Sequence, residues 1–378
     1  MASRPAALLI TLLLYLHGVP SVRCECENAT QLSVQVDTLL AEYDREAPPG
    51  ARLAVQLALD VKHASITPQR DAMRLLADLK MTWQDPRIQW NATEWGCSSA
   101  LTSAERLWLP DIVVLNAAAT SADDGRLRAR LDAAGSVSWM TRLDITAPVA
   151  LELYDWPSDT QACTFKFGSR AYNKEELQLA ISEFKHAVVF ETGSWEIQTV
   201  TGVESSWRRG EEEASVAAWT VRVARRAPAH ALSAAAVLLA GALLLAAAAM
   251  LPPHQRHPLA ACASFSAALW LNSALVRLPE AGSAPRSLSL LCALCVCGAC
   301  SAAGAALAAR LPRRTAPPPR ALRALLSSLS TVCKLTPSPE SCVTSESGAW
   351  AAAAVLLDRA VSAAVLLTLT VLILLQLF

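Results

Sequence analysis

The chain has 378 residues, 33 basic and 33 acidic side chains, and 53% hydrophobic residues. A net charge of zero argues against a nucleic-acid partner, which selects for a basic face. The apolar residues are crowded into the second half, so the sequence is not that of one evenly mixed soluble domain.

The first stretch, MASRPAALLITLLLYLHGVPSVRC, has Arg4, an apolar run from Ala6 to Leu16, and small residues around Pro20-Ser21. That order predicts a cleaved secretory signal over residues 1–23, since the run is too short to cross a bilayer. Asn28-Ala29-Thr30 and Asn91-Ala92-Thr93 are then glycosylation acceptors by pattern, at Asn28 and Asn91. Residues 24–226 are long enough for one extracellular core. They open with a helix whose face carries Leu32, Val36, Leu39, Leu40 and Tyr43, stopped by Pro48-Pro49-Gly50. The apolar period then changes to two. Val55, Leu57, Leu59 and Val61 alternate with polar or small residues, and Met73, Leu75, Ala77, Leu79, Met81 and Trp83 share a face. SWEIQTV and AAWTVRV behave alike. Many short strands broken by Pro and Gly predict an antiparallel β-sandwich. Val149 to Ser169, VALELYDWPSDTQACTFKFGS, reads as two strands joined by a corner at Trp156-Pro157-Ser158-Asp159, with the single cysteine Cys163 near its end. His63, His186 and His230 stand in no ligand or triad spacing, and no catalytic signature or cofactor motif is present.

From Ala227 onward the composition is that of membrane helices. Spans are predicted at 227–251, 259–278, 287–309 and 350–378, the second shorter and more polar, with Asn272 inside and Arg277 at its edge. After a cleaved signal this places the outer domain and the C-terminus on the same, outer side. Arg310, Arg313, Arg314, Arg320 and Arg323 make the 310–349 loop cytoplasmic under the positive-inside rule. Cys292, Cys295, Cys297 and Cys300 would suggest a metal in a soluble domain. Midway along an apolar span they read as small packing residues, with Cys297 on a different face from the others.

A helix, a β-sandwich and an all-α bundle of membrane helices, in that order, resembles the Cys-loop receptors, the pentameric ligand-gated ion channels. Several stretches are similar to nicotinic acetylcholine receptor subunits. They are LLAEYDREAPP, WQDPRIQWN (the family's W-x-D-x-R-L-x-W), LWLPDIVVLNAA (W-x-P-D-I-V-L-Y-N-N-A), VSWMT, DTQACTFKFGSRAY (D-x-Q-x-C-x-x-K-F-G-S-W-x-Y) and WAAAAVLLDR. The resemblance implies a multi-pass plasma-membrane receptor, in the lipid bilayer, with a synapse among the settings it allows, built with other nicotinic-type subunits as a hetero-pentamer and gated by a small-molecule agonist that the sequence does not identify.

The departures from the family pattern fall on its functional positions. Counting back from Cys163 by the family's spacing, the first cysteine of its name-giving loop is replaced by Val149, so Cys163 can pair with Cys97, Cys24 or Cys26, or stay free. The family receives a quaternary ammonium in an aromatic box, because ring faces attract a cation. Its box positions hold Asp78, Leu115 and Arg170 here, and ESSWRRGEEEASVAAW replaces the loop with paired cysteines. The family's pore lining corresponds to His257, Ala260, Ser264, Ala267, Leu271, Ala274 and Arg277, with Arg256 beside the inner mouth and no acidic ring. Two roles follow: a divergent channel subunit that acts within a hetero-oligomer, or a non-conducting assembly, trafficking or dominant-negative partner of such receptors.

Overall fold

The computed structural model describes residues 29–122, 128–182, 193–278, 283–314, 319–320, 324 and 346–377. The predicted signal segment, Cys24, Cys26, Asn28, His186 and Arg323 lie outside them, as does most of the 310–349 loop.

The outer part opens with helix α1 (Ala29–Leu39), followed by β1 (Leu53–Thr67) and β2 (Ala72–Gln84). A short helix α2 (Ala92–Trp95) leads to β3 (Ser99–Ser103), β4 (Ile112–Val114), β5 (Ala119–Ala122), β6 (Arg128–Asp132) and β7 (Ser136–Pro148). β8 (Thr160–Ser169), β9 (Leu177–Ile181), β10 (Trp195–Arg209) and β11 (Glu212–Arg225) complete it. One sheet runs β3-β6-β7-β2-β1-β9, with β5 also on β7, and the other runs β10-β11-β8-β4. All pairings are antiparallel except β1 with β9, which is parallel. The two sheets face each other over one apolar core.

The period-two reading holds along β2. Met73, Leu75, Ala77, Leu79, Met81 and Trp83 are all buried. Each large apolar side chain taken from water there contributes about 1.5–3 kcal/mol before ordering costs. β1 is less regular. Val55, Leu57, Leu59 and Val61 face the core, but Ala58 and Asp60 on the other face are buried too, and the register shifts between Val61 and His63. The first helix ends at Leu39, before the predicted Pro48 stop, so Tyr43 lies beyond it. There its hydroxyl donates to Asp85 at 2.8 Å and accepts from Arg87 at 2.9 Å and from the Trp108 amide at 3.0 Å.

The corner around Trp156 corrects the sequence reading. β7 stops at Pro148, and Val149 to Leu153 pair with no strand although Val149, Leu151 and Leu153 alternate inward. The Gln161 amide takes the place of a ladder: its oxygen accepts from the Glu152 amide at 3.0 Å and its nitrogen donates to the Glu152 carbonyl at 2.8 Å. Period two reports burial on alternate sides, and a side chain has here supplied the bonds that a neighbouring strand would.

Four long helices follow: α3 (Pro228–Met250), α4 (Pro253–Leu275), α5 (Arg286–Arg310) and α6 (Glu346–Leu377). All four are long and apolar enough to cross a membrane. α4 begins well before the predicted Leu259, with Pro253 in its first turn, where proline removes no needed donor, and carries Pro258 inside the helix, where the ring leaves the ladder one donor short. α4 and α5 approach closely at Gly298, where an added Cβ would lie 2.9 Å from the Ala260 carbonyl and 2.2 Å from the Ser264 hydroxyl. Small residues at such contacts let helix backbones meet where lipid supplies no hydrophobic drive.

Candidate functional site

The ligand-box positions are not assembled into a box within the chain. Asp78 is in the middle of β2, in the larger sheet. It accepts from Arg142 Nε at 2.9 Å, and Lys62 Nζ stands 3.8 Å away, itself paired to the buried Asp60. The partners sit on the flanking strands: Asp78 is opposite Asp60 on β1 and opposite Arg142 on β7. This charge ladder, extended by Arg74 and Asp144 at 2.9 Å, was not visible from the sequence, because strand register brings its members together. Arg74 holds the Asp144 carboxyl below the usual carboxylate range, chiefly by hydrogen bonding.

Leu115 and Arg170 belong to the other sheet. The Leu115 amide donates to the Lys166 carbonyl at 2.7 Å, and its side chain leans on Gly168, where a Cβ would meet it at 3.0 Å. Arg170 is exposed beyond β8. Ser169 before it donates to Asp111 at 2.6 Å and accepts from the amides of Ala171 and Tyr172, which fixes the turn. Cys163 is a free, buried thiol, its Sγ 3.7 Å from the Pro148 carbonyl, whereas Cys97 is disulfide-bonded and pairs with none of the described cysteines. Burial pushes the Cys163 thiol up to about 11. Asn91 is exposed; its Oδ1 accepts from the Thr93 amide at 3.1 Å and hydroxyl at 2.7 Å, so the amide nitrogen is outside those bonds.

A second group of side chains joins the sandwich to the bundle. Trp156 is buried between a domain above and three helix ends below. Its ring lies 5.7 Å from Trp270 of α4 and 6.4 Å from His230 of α3. Its carbonyl accepts from Ser287 of α5 at 2.9 Å. Arg286 places its amide 3.0 Å from the Tyr154 carbonyl and its guanidinium 4.7 Å over the Tyr154 ring, and pairs with Asp155. From above, Arg225 at the end of β11 donates to Asp159 at 2.6 and 3.1 Å and stacks 4.2 Å over Trp195. The sequence pointed to the Trp-Pro corner as a turn; its docking role depends on contacts more than a hundred residues away and carries no local signal.

The helix predicted to line a pore turns another face outward. Ala260 and Ala267 are 0% exposed against the neighbouring helices, and Ala274 is buried in the cluster that continues into the sandwich. Ser264 donates to the Cys295 carbonyl at 3.0 Å. His257 and Leu271 are half-buried. The predicted lining thus faces the inside of the bundle, because the small side chains aligned on that face are what lets α5 pack closely. The open face carries Ala261, Phe265, Leu269, Asn272 and Val276, with Phe265 66% exposed. Arg277 lies within 2.6 Å of His230 Nε2, bonded sideways to α3. Arg256, expected beside the inner mouth, is turned into the bundle. It is buried, donates to the Ala248 and Leu251 carbonyls at 2.7 and 2.8 Å, and binds Asp358 and Ser362 of α6 at 2.5 and 2.8 Å. The four-cysteine run splits, with Cys297 inward and Cys292 and Cys300 outward.

Residues 33–226 match the neurotransmitter-gated ion-channel ligand binding domain. The chain belongs to the neurotransmitter-gated ion-channel family. It is 31% identical over 141 residues to neuronal acetylcholine receptor subunit beta-3 of Rattus norvegicus, covering 35% of this chain and 29% of that one. It is 27% identical over 211 residues to the alpha-3 subunit of Homo sapiens, covering 53% and 41%. It is 28% identical over 186 residues to the alpha-6 subunit of Mus musculus, covering 47% and 37%. The matched stretch is less than half the length of each of these relatives. At the positions expected for a box stand an exposed arginine, a leucine and a salt-bridged aspartate, none of which has an aromatic ring.

Proposed function

We propose that this chain is a divergent subunit of a nicotinic-type pentameric ion channel. It works inside a hetero-pentamer with related subunits in the plasma membrane, with the outer domain and C-terminus outside the cell. The observation that carries the reading is the seat of Trp156. A domain of the ligand-binding family is seated through that loop on the ends of three apolar helices, so a displacement of the sandwich is passed to α3, α4 and α5 together. The chain's own principal face does not take acetylcholine. Arg170 and Leu115 offer a cation no aromatic surface, and the carboxylate of Asp78 is engaged by Arg142 and Lys62. An agonist is bound at sites that partner subunits supply. The ion path runs along the open face of α4, past Ala261, Phe265, Asn272 and Val276.

The test is co-expression with neuronal nicotinic subunits, reading surface labelling of a tag after Phe378 on intact cells together with agonist-evoked current. Surface co-assembly that changes conductance or agonist sensitivity is expected. Surface assembly that silences the current would favour the non-conducting role. Failure to co-purify with any related subunit would overturn the proposal.

A further inference from the structure

Above the sandwich, α1 crosses the outer face of β3 and β6 and leaves a cleft of about 420 Å³ between them. That size is within the roughly 300–1,000 Å³ of small-molecule sites. Its floor is apolar: Leu32 and Val36 come from α1, and Leu101, 50% exposed, from β3. Its rim is cationic. Arg128 and Arg130 stand two residues apart on β6, on the face opposite Ala129 and Leu131, which are fully buried in the core. Arg106 enters from the turn after β3.

These three guanidiniums meet one carboxylate among the described lining residues, Asp37, which pairs with Arg106 at 2.6 Å. Among the described residues Arg130 donates to the neutral Ser99 hydroxyl alone, at 3.3 Å. Arg128 has no ion-pair partner among the described residues. Two adjacent guanidiniums with no carboxylate paired to them among the described residues, over a half-exposed leucine, form half of an interaction. Planar N–H forks match the two oxygens of a carboxylate or sulfonate, and the leucines match an apolar body.

We propose that this cleft is a binding site for a small amphipathic organic anion. Such a ligand carries a carboxylate or sulfonate held by Arg128 and Arg130 and an apolar ring or chain laid between Leu101 and α1. The site is separate from the expected box positions, which lie on β2 and just after β4 and β8, and it does not depend on the channel reading. Because α1 and the β3–β6 edge form its two walls, occupancy ties the first helix to the sheet.

The test uses the full chain purified in detergent, titrated with 4-(trifluoromethyl)benzoate and followed by fluorine NMR, with 4-(trifluoromethyl)benzamide as the uncharged control. Saturable benzoate binding at millimolar concentrations or below is expected, with the benzamide at least tenfold weaker. The double variant Arg128→Gln/Arg130→Gln should lose at least tenfold in benzoate affinity. Leu101→Glu, at an exposed position, should lose as much by placing a carboxylate in the cleft, while the heat-unfolding curve stays that of the parent. Equal binding of the two probes, unchanged affinity in both variants, or no saturable binding to the parent protein would each overturn the site.

Discussion

Asp159 exposes no side-chain surface, and two nitrogens of Arg225 reach it at 2.6 and 3.1 Å. A carboxylate so deeply placed is tolerable only because it is paired; removing the partner of a buried ion pair costs about 3–5 kcal/mol. Arg225→Ala should therefore cut the folded, surface-expressed fraction sharply, and Asp159→Asn in the same chain should restore part of it. Thermal unfolding of the single and double variants in detergent measures the coupling; equal loss in both would mean that the pair contributes only shape. Cys163 gives a different residue-scale signature. Its thiol is raised from 9.0 to about 11 by burial. The folded state thus holds the proton more tightly than the unfolded chain, so this group leaves stability unchanged below about pH 9 and lowers it as pH rises from about 9 to 11. Relative to Cys163→Ala, the parent protein should lose stability across that window and nowhere below it, as denaturant unfolding at stepped pH would show. A parallel pH course for the two chains would mean that the thiol titrates alike folded and unfolded.

The elements differ in how much of them the sequence discloses. β2 is legible because six consecutive alternate positions are apolar and the strand is central, so its pattern has one interpretation. The four apolar helices are legible for the same reason, a composition that water would not tolerate. The facing of α4 is not legible. Alanines at 260, 267 and 274 fit a narrow pore and a tight helix contact equally well, and the contact that Gly298 of the opposing helix makes at Ala260 and Ser264 comes from outside the segment. The ladder joining Asp60, Lys62, Asp78 and Arg142 was hidden likewise, since only register puts a carboxylate of one strand opposite a cation of another. A prediction follows from the facing of α4. Phe265, open on that helix, would add a large apolar side chain to one level of the hetero-pentamer's ion path, and apolar constrictions restrict ion flow by dewetting. In a co-assembled channel, Phe265→Ser should raise conductance or resting leak, whereas Ala267→Ser should leave both close to the parent values while destabilising the bundle. Single-channel recording that reverses this ranking would return the lining to the face of Ala267. Arg277→Glu is expected to change conductance little, because that side chain is drawn toward His230.

At the scale of the whole molecule, the sandwich and the bundle are two cores of different chemistry that meet through a few residues. Arg225 and Asp159 hold the 154–159 loop to the outer domain, and Trp270, His230, Arg286 and Ser287 hold it to the helices. A loop fixed on one side only would move without consequence; one fixed on both sides transmits. Trp156 is the member that touches two helices with its ring and a third with its carbonyl, so shortening it should loosen the joint while leaving each core intact. Deleting a buried aromatic side chain costs about 3–5 kcal/mol where it is fully packed. Much of that loss should fall on the joint, since the ring lies between the two cores. In a hetero-pentamer, Trp156→Ala should reach the surface at levels within about twofold of the parent, a change of under roughly 0.5 kcal/mol in the assembly equilibrium. Its agonist-evoked current should fall much further than its surface count. Trp156→Phe, which keeps an apolar ring against Trp270, should recover most of that current. Surface labelling and whole-cell current measured on the same cells separate the two effects. Current that falls only in proportion to surface number would show that this subunit's joint supports assembly without carrying the gating movement.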